Sequence, residues 1–200
     1  MNILEKEKPY SKLGFSKLET TELILPLNEL LANYQTHFHK LQNFHWNVKG
    51  KDFFELHEQF EQMYREAFEN IDIIAERIRV FGKTPISKMK DYIALSDIRE
   101  AETDLSGEFM VREIINDLEI LLSCMVEVTD QAGLIGDTGT IDIVNGFTKS
   151  VEKQHWQFTA WLSEPAQETE LKKPVEVLKK EIKKPIETKR FIDKTKSFMN

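Results

Sequence analysis

Residues 52–82 read DFFELHEQFEQMYREAFENIDIIAERIRVFG and predict one long amphipathic helix. The apolar residues recur at steps of three and four, which places them on one face of a helix with 3.6 residues per turn; they are Leu56, Phe60, Met63, Ala67, Ile71, Ile74, Ile78 and Phe81. Asp52 followed by Glu55 is typical of a capping box, and Gly82 before Pro85 is typical of a helix end.

Three further segments show the same helical spacing, and no segment alternates with the period of two that predicts a strand. They run from about Thr21 to Val48, from about Ser106 to Ala132 before Gly133, and from about Thr140 to Leu162 before Pro165. We expect Thr21 to be the first N-cap, since Pro26 is tolerated only near a helix start.

Between the second and third helices, residues 82–105 form a connection far longer than a tight turn. Its middle, Tyr92 to Ala101, is expected to form a short extra helix. Four long helices with one long crossover between the second and third are the connectivity of ferritin-like bundles. The predicted fold class is therefore all-α, a ferritin-like four-helix bundle.

The charge is distributed unevenly along the chain. We expect residues 1–20 to be an N-terminal extension, 21–164 to be the helical domain and 165–200 to be a Lys-rich tail, at most partly helical. Residues 166–200 hold ten Lys or Arg and six Asp or Glu, a net charge of +4; since the whole chain carries −7, residues 1–165 carry −11. The body should attract cations, and only the tail is suited to a polyanion.

The single cysteine, Cys124, excludes an intramolecular disulfide, and its apolar neighbours indicate a reduced core residue. The N-terminus lacks the apolar region of a signal peptide, and no run of about 18 apolar residues occurs. We therefore expect a cytoplasmic protein without a membrane segment.

Four residues in the helix of residues 52–82 are symmetric in sequence, because His57 with Glu76 and Glu61 with Asp72 share the midpoint 66.5. At 1.5 Å rise per residue the outer pair lies about 28 Å apart and the inner pair about 16 Å. One helix cannot bring them together. Two copies packed antiparallel about a two-fold axis would place His57 and Glu61 opposite Glu76 and Asp72 of the second copy.

The alternative interpretation of this polar strip is an ordinary solvated helix face. A metal site is favoured by the histidine and by His45, which a turn at Gly50 would bring to the same end of the bundle as His57. Two imidazoles with carboxylates suit Fe(II), and also Zn(II), Co(II) and Mn(II). Geometry alone leaves both interpretations open.

The motifs around these residues resemble the Dps family, the miniferritins named as DNA-binding proteins from starved cells. The resemblance covers about residues 20–163 and rests on NFHWNVKG at 43–50, LHE at 56–58, DIIAERI at 72–78 and GKTP at 82–85. It implies a twelve-subunit cage, a homo-dodecamer, with a dinuclear iron site at each two-fold interface. It further implies that His45, His57 and Glu61 come from one subunit, and Asp72 and Glu76 from its mate. The Glu at 61, where the family often has Asp, keeps the ligand but changes its reach.

On this resemblance we interpret the chain as a ferroxidase and iron-storage protein that oxidises Fe(II), with hydrogen peroxide as the expected oxidant. The alternative is a nucleoid-compacting cage that binds DNA weakly through its basic tail. A third hypothesis is a tail that docks a protein partner through its apolar residues, Val175, Leu178, Ile182 and Ile186.

Other candidates are weaker. The motif Glu152-x-x-His155 occurs once, whereas intrachain di-iron bundles carry two such motifs; we expect His155 to be packed beside Trp156. Trp46 is either an acceptor of oxidising equivalents or, as we favour, a core residue. We expect His37 to make an ordinary polar contact rather than to be an entry ligand. We also expect Asp142, with Asp137, to line a three-fold entry channel.

Overall fold

The computed structural model describes residues 17–163, and within them the chain forms five helices and no strand. The helices are α1 (Lys17–Asn47), α2 (Phe53–Val80), α3 (Met89–Leu95), α4 (Gly107–Leu134) and α5 (Thr138–Leu162). The antiparallel pairs α1–α2 and α4–α5 pack through α1 and α4, and the short α3 lies against α1. The predicted four-helix bundle with an extra crossover helix is confirmed.

The apolar stripe of α2 faces the core as its spacing predicts, with only Ile71 left half-buried. Phe60 lies at its centre, with ring centroids 5.8 Å from Phe44 of α1 and 6.1 Å from Phe158 of α5. Burying a large apolar side chain contributes about 1.5–3 kcal/mol. This burial fixes the rotation of α2 about its axis, so the strip with the predicted ligands points away from the core.

Helix α1 begins at Lys17, and the prediction of Thr21 as its N-cap is wrong. Pro26 lies inside the helix and is buried. An interior proline costs about 3 kcal/mol because it removes one helical hydrogen bond and crowds the preceding turn. Four buried leucines around it offset that cost, at about 1.5–3 kcal/mol each; they are Leu23, Leu27, Leu30 and Leu31.

The predicted capping box at the start of α2 is wrong, although the position is right. Asp52 is the N-cap residue, but its side chain makes no capping hydrogen bond. The chain reverses just before it at Gly50, whose φ of +106° favours glycine. At the other end Gly82, with a φ of +71°, follows the helix as predicted.

The crossover helix α3 ends at Leu95, whereas the sequence predicted a helix from Tyr92 to Ala101. Asn33 of α1 decides this boundary. Its side-chain oxygen accepts hydrogen bonds from the Ser96 hydroxyl at 3.1 Å and from the backbone N–H groups of Asp97 and Ile98 at 3.0 Å each. A backbone bonded to a side chain of another helix leaves its own helical ladder, so Ser96 is extended.

The turn between α4 and α5 is shorter than predicted, because α4 ends later and α5 begins earlier than the sequence predicted. Helix α4 continues through Gly133 to Leu134, and the chain reverses at Gly136, whose φ is +69°. Helix α5 begins at Thr138, two residues before the predicted start, because the side chain of Asp137 caps it by accepting from the Thr140 N–H at 3.1 Å.

Cys124 is a free thiol that lies half-buried against the core rather than inside it. Burial raises the pKa of the Cys124 thiol to about 11, while a hydrogen bond from Asn33 at 3.4 Å opposes the shift. None of the described helices combines the length and apolar character that a membrane span requires. The predictions for residues 1–16 and for the tail lie outside the described residues.

Candidate metal centre

The candidate centre lies where α1 ends and α2 begins. His45 is in the last turn of α1 and His57 is in the second turn of α2. The turn at Gly50 brings their imidazole rings into a stack, with centroids 3.8 Å apart and an interplanar angle of 19°. The prediction that both histidines meet at one end of the bundle is confirmed.

Each histidine bonds the backbone of the other. Nδ1 of His45 lies 2.8 Å from the carbonyl oxygen of His57, and Nδ1 of His57 lies 2.8 Å from the carbonyl oxygen of His45. A carbonyl oxygen only accepts, so each Nδ1 is the donor, and in the neutral form of such a ring the lone pair lies on Nε2. Metal-ligating histidines are commonly held this way. The two imidazole rings are therefore held in fixed orientations at one place, as two ligands of a cation would be.

Glu61 completes a group of three. It follows His57 by one helical turn, and ligand atoms of His45, His57 and Glu61 all lie within 4.8 Å of one another. A hydrogen bond from Arg65 lowers the pKa of Glu61, and the charge of Arg65 acts in the same direction. Two imidazole nitrogens and an ionised carboxylate fit Fe(II) and the neighbouring divalent metals. It is the one such group among the described residues.

Two aromatic side chains hold the histidine pair from either side. Phe53 stacks on His57 with centroids 5.0 Å apart, and Tyr64 meets His45 edge to face at 5.4 Å. His45 is 8% exposed, while His57 and Glu61 are half-buried. Solvent therefore reaches His57 and Glu61 in part, whereas His45 is largely shielded.

The other two predicted ligands, Asp72 and Glu76, lie further along the same strip and are exposed. They are not part of the cluster formed by His45, His57 and Glu61 within the described part of one chain. The helical rise separates Glu61 from Asp72 by about 16 Å, so the chain cannot fold them together. Their joining to the centre stays a prediction that requires a second copy.

The strip also carries two phenylalanines whose side chains are exposed to solvent in a single chain. Phe54 is 82% exposed and Phe68 is 63% exposed. Exposed aromatic side chains gathered on one helix face are typical of surfaces that another protein covers. Phe68 lies next to the midpoint of the predicted ligand pairs, where a two-fold axis would cross the helix.

Asp137 does not line a channel, and that prediction is wrong. The side chain of Asp137 is 1% exposed and accepts hydrogen bonds from Arg77, at 2.5 Å, and from the hydroxyl of Thr140. Its charge is used in joining α2 to the start of α5. Asp142, the other candidate for an entry channel, is exposed, and its role stays a prediction.

Three minor candidates are resolved by their contacts. His37 makes the expected polar contact, with Nδ1 3.0 Å from a carboxylate oxygen of the buried Asp117. Trp46 is 69% exposed, so its prediction as a core residue of the subunit is wrong. His155 is half-buried and bonds Glu119 at 3.2 Å, while its neighbour Trp156 is exposed, so His155 is not packed as predicted.

Sequence reasoning missed Arg65, which binds the candidate ligand Glu61. The signal was present, because a Glu four residues before an Arg on a helix predicts an ion pair. It also missed the paired backbone bonds of His45 and His57, for which no sequence signal exists. Those bonds depend on how closely the two helices approach.

Comparison with known proteins places these features in a family. A model of the ferritin-like domain matches residues 24–167. The chain is 39% identical over 143 residues to DNA protection during starvation protein 2 of Bacillus anthracis, covering 72% of this chain and 98% of that protein.

Solved structures agree with this match. Dps from Staphylococcus aureus is 35% identical with a TM-score of 0.70, covering 72% of this chain and 97% of that one. The Dps protein of Vibrio cholerae O1, described as a member of a broad superfamily of ferritin-like diiron-carboxylate proteins, is 31% identical with a TM-score of 0.75. That match covers 80% of this chain and all of the Vibrio chain.

Proposed function

The chain belongs to the Dps family of ferritin-like proteins, and from that premise we propose that it is a ferroxidase and iron-storage protein. It binds Fe(II) at a dinuclear centre between two subunits, oxidises it with hydrogen peroxide and stores the Fe(III) product inside a dodecameric cage. His45, His57 and Glu61 of one subunit and Asp72 and Glu76 of the other hold the iron.

The observation that carries this proposal is the histidine pair. Reciprocal Nδ1 bonds fix both rings, and a nitrogen of each ring lies within 4.8 Å of a carboxylate oxygen of Glu61. An ordinary solvated helix face would not hold two histidine rings stacked and locked to backbone carbonyls. The carboxylates of Asp72 and Glu76 supply the remaining hard oxygen ligands, which suit Fe(III) better than nitrogen ligands do.

The chemistry proposed for this site follows from its donors. Each of two Fe(II) ions gives up one electron, and one hydrogen peroxide molecule accepts both electrons and two protons from solvent as its O–O bond breaks to give two water molecules. Two iron atoms at one centre allow this pairing, so no hydroxyl radical is released. The neutral imidazoles bind Fe(II) without adding charge, and the carboxylates balance the higher charge of the product.

The half-site in one subunit and the open strip beside it together support assembly through α2. An antiparallel pair of α2 helices would cover Phe68 near the axis and place Asp72 and Glu76 of each copy against the histidines of the other. Such an isologous interface forms two equal centres from two incomplete ones.

The test is Fe(II) oxidation by hydrogen peroxide in wild type and in His57→Ala. We expect the variant to lose rapid oxidation while its helix content and assembly mass stay unchanged, because His57 is not part of the apolar core. His155→Ala is the matched control, since His155 is also half-buried but bonds only Glu119 among the described residues. Wild-type rates in His57→Ala, or loss in His155→Ala, would contradict the proposal.

The second candidate function is DNA binding through residues 166–200, and it is favoured by their net charge of +4 against −11 for the rest. Many tails on one cage would act together, and binding would fall steeply with salt because counterions are released. A gel-shift titration should show weak binding by the full cage and none after deletion of the tail. Equal binding by both cages would exclude the tail as the contact, and no binding by either favours iron storage alone.

A further inference from the structure

Arg65 occupies one oxygen of the candidate ligand Glu61. Its Nε lies 3.0 Å and its Nη2 lies 2.5 Å from Oε1 of that carboxylate. The side chain of Glu61 is 34% exposed and that of Arg65 is 68% exposed, so the guanidinium approaches from the solvent side. This places a positive charge within one helical turn of the atoms that would bind a cation.

A divalent cation and this guanidinium compete for the same carboxylate. Nε and Nη2 of Arg65 both bond Oε1, and the cation requires a carboxylate oxygen of Glu61 close to the two imidazole rings. A carboxylate offers about four lone-pair positions, so charge and not the number of acceptor positions decides this competition. The positive charge of Arg65 opposes metal binding. Its hydrogen bonds to Glu61 favour metal binding, because they hold the carboxylate in one orientation.

Magnitudes decide between the two effects. An exposed ion pair between residues four apart on a helix changes the population of the paired side-chain conformation by only about twofold. Orienting Glu61 can therefore raise the affinity for a cation by about twofold at most. A unit charge about 6 Å from a dication in a water-like dielectric lowers its affinity by about tenfold, before the guanidinium moves away. Repulsion therefore exceeds orientation.

We propose that Arg65 is a displaceable counter-ion of Glu61 that a divalent cation must drive off, so that Arg65 weakens metal binding at this centre and sets the Fe(II) concentration at which it loads. This inference rests on the proposed function and deepens it. Because repulsion grows with the charge of the ion, it acts more strongly on Fe(III) than on Fe(II). Arg65 therefore also favours departure of the oxidised ion toward storage.

The test measures Zn²⁺ affinity, since Zn²⁺ suits the same donors and is redox-inert. Calorimetric titration of the assembled protein should give a dissociation constant about three- to tenfold lower in Arg65→Gln than in wild type. Arg65→Lys keeps the charge and should stay within about twofold of wild type. Assembly mass is compared for each variant.

A matched control exists on α4. Arg112 donates through Nε at 3.2 Å and Nη2 at 2.8 Å to Oε1 of Glu108, the same spacing in an exposed pair whose carboxylate is not part of the cluster formed by His45, His57 and Glu61. Arg112→Gln should leave the dissociation constant unchanged. Equal or weaker Zn²⁺ binding in Arg65→Gln would overturn the inference while leaving the proposed centre intact.

A second measurement needs no variant. In a crystal structure of the Zn²⁺-loaded wild-type protein, we expect the Arg65 guanidinium to lie more than about 4 Å from both oxygens of Glu61, beyond hydrogen-bond reach. A retained Arg65–Glu61 bond beside a bound Zn²⁺ would overturn the inference. Failure of the proposed function looks different, because Zn²⁺ would then bind with unchanged affinity in His57→Ala.

Discussion

Mixing two inactive variants tests whether the centre is shared between subunits. In a two-fold pair of one His57→Ala subunit and one Glu76→Ala subunit, both lesions fall in one centre. The other centre receives an intact histidine from one subunit and an intact Glu76 from its mate. Each variant alone has a lesion in every centre and should be inactive.

The expected recovery follows from counting pairs. If equal amounts of the two subunits assemble at random, about half of the two-fold pairs are hybrids, and each hybrid has one intact centre of two. About one quarter of all centres should therefore be intact. Co-expression of the two variants with different tags, purification of the mixed cages and stopped-flow Fe(II) oxidation with hydrogen peroxide measure this fraction.

The structure supplies a control that should recover nothing. His57 and Glu61 belong to one cluster within one chain. Mixing His57→Ala with Glu61→Ala subunits therefore leaves a lesion in both centres of every pair. Recovery near one quarter in this control, or none in the mixture with Glu76→Ala, would refute the shared centre.

Three further predictions concern the bundle. Asp117→Asn should lower the free energy of unfolding in urea by about 3 kcal/mol, because Asp117 and the Lys40 ammonium 2.7 Å from it are both buried and the change leaves Lys40 with a weaker partner; a loss below about 1 kcal/mol would contradict a paired buried charge. Since burial raises the pKa of the Cys124 thiol to about 11, its alkylation rate should keep rising above pH 9 instead of reaching a plateau there. Gly136→Ala should destabilise the fold by about 1–2 kcal/mol, because its φ is +69°. By contrast, Gly146→Ala, at an exposed position inside α5 with equally open space around the added carbon, should stabilise it by about 0.5–1 kcal/mol; a thermal melt in which both variants shift the same way would refute the backbone argument.

The helices and the position of the site could be predicted because their signals are local. The repeat that contains Phe60 and Ile74 determines which face of α2 is buried, whatever the rest of the chain does. The four-residue step from His57 to Glu61 places both side chains on the outward strip for the same reason. The motifs around His45 were specific enough to indicate the family from one sequence.

Helix ends were predicted less well, since side chains from other elements decide them. Asn33 of α1 ends the crossover helix at Ser96 from more than sixty residues away in sequence, and the four buried leucines near Pro26 allow α1 to begin at Lys17. Neither effect leaves a local signal. The wrong expectation for Asp137 has the same origin, because only the packing of α2 against α5 brings Arg77 to it.

Periodicity and side-chain chemistry belong to one segment at a time, so the amino-acid sequence was enough to predict an all-helical chain with its ligand types at helical spacing. That His45 and His57 bond each other's carbonyl oxygens, with both rings beside Glu61, could be seen only in the folded chain. That arrangement depends on the distance and rotation between α1 and α2. Packing fixes that distance and that rotation. They decide whether the hydrogen bonds form, because a shift of a few tenths of an ångström takes a donor and its acceptor out of bonding range.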